Sequence, residues 1–146
     1  MITFRVADTK YDHGWCVLIR TLVFVVEQNV DVVLEVDEHE NVCRHILGID
    51  DAQPFATARW RRYKPTVAEI ERVAVLKNWR GKKLGTGLLA AVATDIRNIA
   101  VEIEMLRLGA QDYAIPFYEK KGFRVIGDGF LDANIPHHIM EKPVSG

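Results

Sequence analysis

A chain of 146 residues, 49% hydrophobic and 27% charged, is long enough to bury a self-sufficient core as one compact domain, which excludes a disordered chain. Lys plus Arg number 19 against 20 Asp plus Glu, so the formal net charge of -1 excludes a broad electrostatic drive toward nucleic acid or membrane and makes any basic site local. No run approaches the roughly 18 uninterrupted apolar residues of a membrane span, because Glu27 and Asp31 interrupt the most apolar segment.

The segment 1–6 is polar-interrupted and lacks the basic region and apolar run of a secretory signal, so a cytoplasmic location is expected. Cys16 and Cys43 are then read as two free thiols, although sequence alone leaves one bridge between them open. Residues 3–6 read as a short strand. Thr9 and Asp12 have the spacing of an N-cap and an acidic N3 residue, which predicts a helix. On that helix Trp15, Leu18, Ile19, Leu22 and Val23 recur as one apolar face, with Arg20 and Thr21 turned away. From 23 to 33 β-branched residues accumulate around Glu27, Gln28 and Asn29, predicting a helix end and a shaped loop.

Residues 43–50 and 55–63 are strand-like runs on either side of Asp51, Ala52, Gln53 and Pro54, which is hairpin chemistry. Residues 67–76 alternate Val67, Glu69, Glu71, Val73 and Val75 against their neighbours, so a strand is predicted with Glu71 and Val73 on one face. A basic, glycine-containing loop follows at 77–85, and then Leu84, Leu88, Ala91, Val92, Ile96 and Ile99 at helical spacing. Beyond it we read a strand at 103–108, a helix at 112–121 with Pro116 in its first turn and Gly122 closing it, and a strand at 123–126. A loop at 127–136 and a last strand at 138–142 complete the chain. A meander followed by β-α-β-α-β predicts one α/β domain over 1–146, built on a mixed central sheet flanked by helices.

The strand-loop-helix at 73–89 carries the clearest chemistry. A helix N-terminus offers unpaired N–H groups and partial positive charge to a phosphate. Arg80, Lys82 and Lys83 add full charges, and Gly81 and Gly85 allow backbone to approach a ligand closely. A pyrophosphate suits such a loop. It is not a nucleotide P-loop, since no Gly-Lys-Ser/Thr follows at the required spacing, and it does not match the spaced glycines of a Rossmann turn.

Val73-Ala74-Val75, then Arg80-Gly81-Lys82-Lys83-Leu84-Gly85-Thr86-Gly87-Leu88-Leu89, and further on Phe117-Tyr118-Glu119-Lys120-Lys121-Gly122-Phe123, resemble in order and separation the GNAT superfamily of acyl-CoA-dependent N-acetyltransferases. Val25-Val26-Glu27-Gln28-Asn29-Val30, Glu35-Val36-Asp37-Glu38, His45, Ala110-Gln111 and Ile135-Pro136-His137 with Met140 resemble its ElaA/YjcF-type branch, so the resemblance spans nearly the whole chain. It implies a sheet split between the fourth and fifth strands to admit CoA, acetyl-CoA as cosubstrate, and transfer of the acetyl group to a primary amine of a small molecule or peptide. The family's loop pattern, Arg or Gln, two residues, Gly, one residue, then Gly or Ala, falls on Arg80–Gly85. At its fourth position this chain has Lys83 where the family usually has Gly.

By the same resemblance, the amides of Arg80, Gly81, Lys82, Lys83, Leu84, Gly85 and Thr86 hold the CoA pyrophosphate, and the backbone of Val73, Ala74 and Val75 holds the pantetheine arm and thioester. Tyr118 falls where the family places the acid that protonates the departing thiolate; a phenol with a reference pKa near 10 can donate at neutral pH. Gln111 falls where many members have an Asn on the CoA arm, with a helix cap beside Asp112 as the equal alternative. Glu71 and His137 are candidate bases for the amine; an Arg-paired strand carboxylate and a surface turn are their bland readings. Glu27, Gln28, Asp37 and Glu38 would shape an acidic acceptor pocket unless they are solvated loop groups. His39, Cys43 and His45 lack the paired spacing of a zinc module, so no metal is expected. Direct transfer needs no covalent intermediate, so neither cysteine is assigned as a nucleophile. The competing readings are a non-catalytic acetyl-CoA-binding regulatory module and, last, a nucleic-acid module on 77–83, which lacks a broad basic face. No nucleic-acid or membrane partner is expected, and a homodimer stays open.

Overall fold

The computed structural model describes residues 1–35 and 37–145, so Val36 of the 35–38 run lies outside the described residues. Seven strands, β1 (Ile2–Val6), β2 (Arg44–Asp50), β3 (Gln53–Lys64), β4 (Val67–Val75), β5 (Met105–Gln111), β6 (Arg124–Asp132) and β7 (Ile135–Pro143), make one mixed sheet in the order β1-β2-β3-β4-β5-β7-β6. All neighbours are antiparallel except β4 and β5. Period-2 alternation gives β2 and β3 two apolar faces, and one helix covers each. On one face α3 (Leu84–Ile99) buries Leu88, Val92 and Ile96 against Ile46, Ala58, Trp60, Ile70, Leu106 and Leu108. On the other, α1 (Lys10–Arg20) and the turn after it bury Cys16, Ile19 and Val23 against Leu47, Ile49 and Ala74. Each fully buried Leu or Ile is worth about 1.5–3 kcal/mol, so these two layers hold the sheet rigid behind any site at its centre. Among the described residues no helix is long and apolar enough to cross a membrane.

Thr9 caps α1 as its spacing predicts, its hydroxyl accepting from the Asp12 N–H at 3.1 Å. The buried face is rotated from the expected one. Leu18 and Leu22 are 45% and 38% exposed, while Arg20 is 1% exposed. Hydrophobicity alone turned Arg20 outward; its ion pairs with Glu35 at 2.8 Å and Glu40 at 3.1 Å permit its burial. The helix also continues past its expected end. Thr21 to Glu27 winds on as a π-helix, with the Thr21 hydroxyl donating back to the Val17 carbonyl at 2.8 Å, and a short α2 (Val32–Glu35) follows.

Two further differences shape the site. The expected loop at 127–136 is a β-hairpin: β6 runs to Asp132 and turns into β7 through Ala133 and Asn134, both with positive φ. Gly127, Asp128 and Gly129 read as loop chemistry, but they form an irregularity inside β6, where the register shifts between Ile126 and Phe130. In β4, Arg72 has φ +54 and the register with β3 shifts between Thr57 and Arg59. This bulge inserts one residue and breaks the alternation, so Val73 and Val75 pack on the α3 face while Glu71 lies on the α1 face with Ala74. Glu71 and Val73 therefore do not share a face.

Candidate active site

β4 and β5 pair only from Val67 opposite Met105 to Ile70 opposite Leu108. Beyond that point the bulge at Arg72 steers β4 away, and the two strands part around a cleft of about 660 Å³. Val73, Ala74 and Val75 line one wall, and Leu108, Gly109, Ala110 and Gln111 line the other. Strand edges facing a gap of this kind present backbone groups with no ladder partner, and an extended ligand arm can take them.

The basic loop lies at one mouth. Lys77–Trp79 forms a 3-10 turn anchored by Trp79, which stacks on Phe55 at 5.8 Å and donates to Asp50 at 3.2 Å. Gly81 with φ +78 and Lys83 with φ +61 then fold the chain into the start of α3, whose first N–H groups have no side-chain cap. These free amides give an anion cradle. Arg80, Gly81, Lys83, Leu84 and Gly85 line the cleft, and Lys82 and Thr86 are exposed beside it. A Cβ on Gly85 would meet the Phe117 ring at 3.2 Å, so glycine lets α3 approach α4 (Ile115–Lys120) closely. Arg80 is more a strut than a free charge: it donates to the Val75 carbonyl at 2.8 Å and makes a bidentate pair with Glu27 at 2.8 and 2.7 Å. Pairing with Arg80 also holds the Glu27 carboxyl below its usual range.

Lys83 occupies a left-handed conformation that costs a non-glycine residue about 1–2 kcal/mol. Glycine carries no such strain but loses about 0.5–1 kcal/mol through its freer unfolded chain. Lys83→Gly is thus expected to raise stability by about 0.5–1 kcal/mol in urea unfolding. A lower midpoint would show that the lysine side chain itself supports the loop.

Tyr118 sits on α4 in the cleft wall, 8% exposed, its ring edge-on to Phe117 and Phe123. Burial pushes its phenol well above the ordinary value, so it keeps its proton at any physiological pH. Gln28 and Gln111 form a reciprocal amide pair, with Gln111 donating to Gln28 at 2.8 Å and Gln28 to Gln111 at 3.4 Å. Gln111 accordingly does not cap the 3-10 turn at Asp112–Ala114; it joins the end of β5 to the chain after the π-helix. His137, on β7, lines the cleft at 8% exposure, stacked on Phe130 at 5.7 Å, with Nδ1 2.6 Å from the Ile135 carbonyl.

Carboxylates from β4 and α2 meet five arginines on the α1 side. Arg59, with no exposed surface, reaches Asp37 at 2.8 Å, Glu40 at 2.8 Å and Glu71 at 3.1 Å. Arg61 lies 3.2 Å from Glu69 and 3.6 Å from Glu71, and Arg107 lies 2.6 Å from Glu69. Burial raises the Glu69 carboxyl above its ordinary range; Arg107 and Arg61 oppose this and the nearby Glu71 charge adds to it. Burial also disfavours charge on Asp37, but Arg59 and Arg72 outweigh it and hold that carboxyl below its usual range. The acidic groups that line the cleft are Glu35, Glu69 and Glu71, together with Asp132.

Of the residues singled out from sequence, Val73, Ala74, Val75, Arg80, Gly81, Lys83, Leu84, Gly85, Gln28, Glu71, Gln111, Tyr118 and His137 converge on this cleft, while Lys82 and Thr86 do not line it. Glu27 and Asp37 are not among the lining residues and are committed to arginines, Glu27 to Arg80 and Asp37 to Arg59 and Arg72, and the side chain of Glu38 is 83% exposed beside His39. Cys16 and Cys43 are both free and buried, and burial pushes the Cys43 thiol up to about 11, so neither is a ready thiolate. Sequence reading missed Glu69, whose only signal was its place on the acidic face of β4, and Glu35, which read as part of a loop motif. It also missed Arg59 and Arg107, which look like solvated strand charges until the fold closes over them.

A model for an acetyltransferase (GNAT) domain matches residues 24–144. The chain is 39% identical over 125 residues, 85% of its length and 87% of the relative's, to the uncharacterized N-acetyltransferase YjcF of Bacillus subtilis. Escherichia coli ElaA is 26% identical in its crystal structure, which superposes with a TM-score of 0.86 over 97% of this chain and 99% of that one. A GNAT family acetyltransferase from Elizabethkingia anophelis with acetyl-CoA bound shares the fold at 14% identity, with a TM-score of 0.68 over 97% of both chains. The chain belongs to the GNAT acetyltransferase family, in the company of the ElaA and YjcF proteins.

Proposed function

We propose that the protein, as one GNAT-type domain over 1–146, transfers the acetyl group of acetyl-CoA to a primary amine of a small molecule or peptide by direct attack on the thioester. The observation that carries this reading is the parting of β4 from β5 beside an uncapped helix N-terminus, with a protonated Tyr118 in the wall. The acetyl-CoA held by the Elizabethkingia protein on the same fold supports it. The pyrophosphate would rest on the amides of Arg80–Thr86, and the pantetheine arm along Val73–Val75, where Gln111 faces it across the gap.

The neutral amine nitrogen attacks the carbonyl carbon, and backbone N–H near Val75 stabilises the oxyanion. The C–S bond then breaks, sulfur takes the Tyr118 proton, and the amine proton passes to a base. Glu71 and His137 are the bases read from sequence. Both Glu71 and Glu69 are paired with arginines, Glu71 with Arg59 and Glu69 with Arg107 and Arg61, but burial raises the Glu69 carboxyl, which better suits a proton acceptor. A cationic acceptor would enter by Gln28 and the carboxylates Glu35, Glu69 and Glu71, with Glu27, Asp37 and Glu38 acting through the arginines or the outer field.

Acetyl-CoA at a hundred times its dissociation constant is expected to stabilise the fold by about 2.7 kcal/mol, seen as a rise in the thermal midpoint. Incubation with a panel of amino sugars, amino acids, polyamines and peptides should then release free thiol in an amine-dependent way. An unchanged midpoint at millimolar acetyl-CoA would remove the central claim. Tight binding without amine-dependent release would favour a regulatory acetyl-CoA binder instead.

A further inference from the structure

On the α1 side of the sheet, three side chains with metal-ligand atoms meet from separate segments. His13 stands on α1, Glu40 in the turn before β2, and His45 on β2. One ligand atom from each lies within 4.8 Å of the others. His13 Nε2 is 2.6 Å from Glu40 Oε2, and His45 Nε2 is 3.8 Å from that carboxylate oxygen and 3.1 Å from the Glu40 carbonyl oxygen. We propose that His13, Glu40 and His45 bind a divalent transition-metal ion of the zinc class at a site separate from the acetyl-transfer cleft, whose walls include none of the three.

Two imidazole nitrogens and one carboxylate oxygen are a donor set zinc accepts with a fourth position left to water or a carbonyl, at bond lengths of about 2.0–2.2 Å. An ion at that distance from each donor requires the donors to stand about 3.3 Å apart in a tetrahedral site, so the present spacings need shifts of well under 2 Å. The fold supplies that freedom on one side only. The His13 side chain is 39% exposed, which lets its ring move and gives the ion an entry path, while Glu40 and His45 are held at 12% and 7%. Arg20 at 3.1 Å and Arg59 at 2.8 Å both grip Glu40 Oε1, which orients the carboxylate and leaves Oε2 to the two imidazoles. Their positive charge is matched by Glu35, Asp37 and Glu71, so an entering cation does not meet uncompensated guanidinium. His45 Nδ1 is buried without a partner among the described residues. With the proton on Nε2 the ring donates to the Glu40 carbonyl; moving it to the unpartnered Nδ1 gives up that one bond and frees the Nε2 lone pair to ligate, so metal coordination replaces the hydrogen bond. His39 and Cys43, which the sequence places near His45, face Glu38 and Glu71 instead.

The test uses the tag-free full-length chain, stripped with a chelator and titrated with Zn²⁺ by calorimetry and with Co²⁺ by visible absorption. One equivalent should bind, and cobalt should show the intense d–d bands of a low-coordinate N/O site. His13→Ala removes a partly exposed ring without opening the core, so it should stay folded and lose affinity by about tenfold or more, while His39→Ala binds as the parent does. Failure of Zn²⁺ to bind saturably, or binding that His13→Ala leaves unchanged, overturns the proposal.

Discussion

Tyr118→Phe is expected to lower kcat by about 10²- to 10⁴-fold while leaving affinity for acetyl-CoA nearly unchanged, which is the cost of removing a positioned general acid. Phenylalanine keeps the ring that packs edge-on against Phe117 at 5.1 Å and Phe123 at 5.8 Å, so the cleft wall should hold its shape. What is lost is one proton donor, and burial makes that donor available across the whole working range of pH. The thiolate must then leave unprotonated or take its proton from water. Single-turnover thiol release separates this chemical step from product release, and acetyl-CoA titration reports binding independently. A kcat within a factor of about three of the parent under those conditions would leave Tyr118 as a packing residue.

The second large effect concerns stability. Arg59→Leu should cost about 3–5 kcal/mol, a large share of the 5–15 kcal/mol typical of a domain. Arg59 is wholly buried and is the common partner of Asp37, Glu40 and Glu71, so its removal leaves three carboxylates facing one another in a poorly solvated space. Burial opposes the Arg59 charge, but its bond to Asp37 and the nearby Glu71 charge outweigh it and hold the guanidinium firmly protonated. Lysine should rescue little, because a point charge cannot reproduce the planar fork that reaches carboxylates on several sides. Urea unfolding of both variants measures this. A loss below about 1 kcal/mol for Arg59→Leu would mean that water or rearranged arginines satisfy the carboxylates instead.

Local patterns made much of the fold legible because they report short-range physics. The Thr9 cap, the 3.6-residue period of α3, Pro116 near the first turn of α4 and the strand runs of β2, β3 and β4 are set by neighbours in the chain. So is the glycine-bearing loop before α3, whose spacing with the Tyr118 segment pointed to the family that the chain belongs to.

What sequence left undecided depends on contacts between distant segments. Arg20 read as a charge turned away from the apolar face, and nothing in the sequence marked Arg59 as buried, since only the fold brings Glu35, Asp37 and Glu40 across to offset the cost of burying them. The bulge at Arg72 cannot be seen in a strand that otherwise alternates, yet it moves Glu71 off the face of Val73 and opens β4 from β5. The β6–β7 hairpin hid behind glycines that serve an irregular strand rather than a loop. The acidic lining of the cleft was the least legible part for the same reason: its carboxylates come from α2, β4 and the end of β6, and which of them face the cleft is set by pairing and packing in three dimensions, not by their order along the chain.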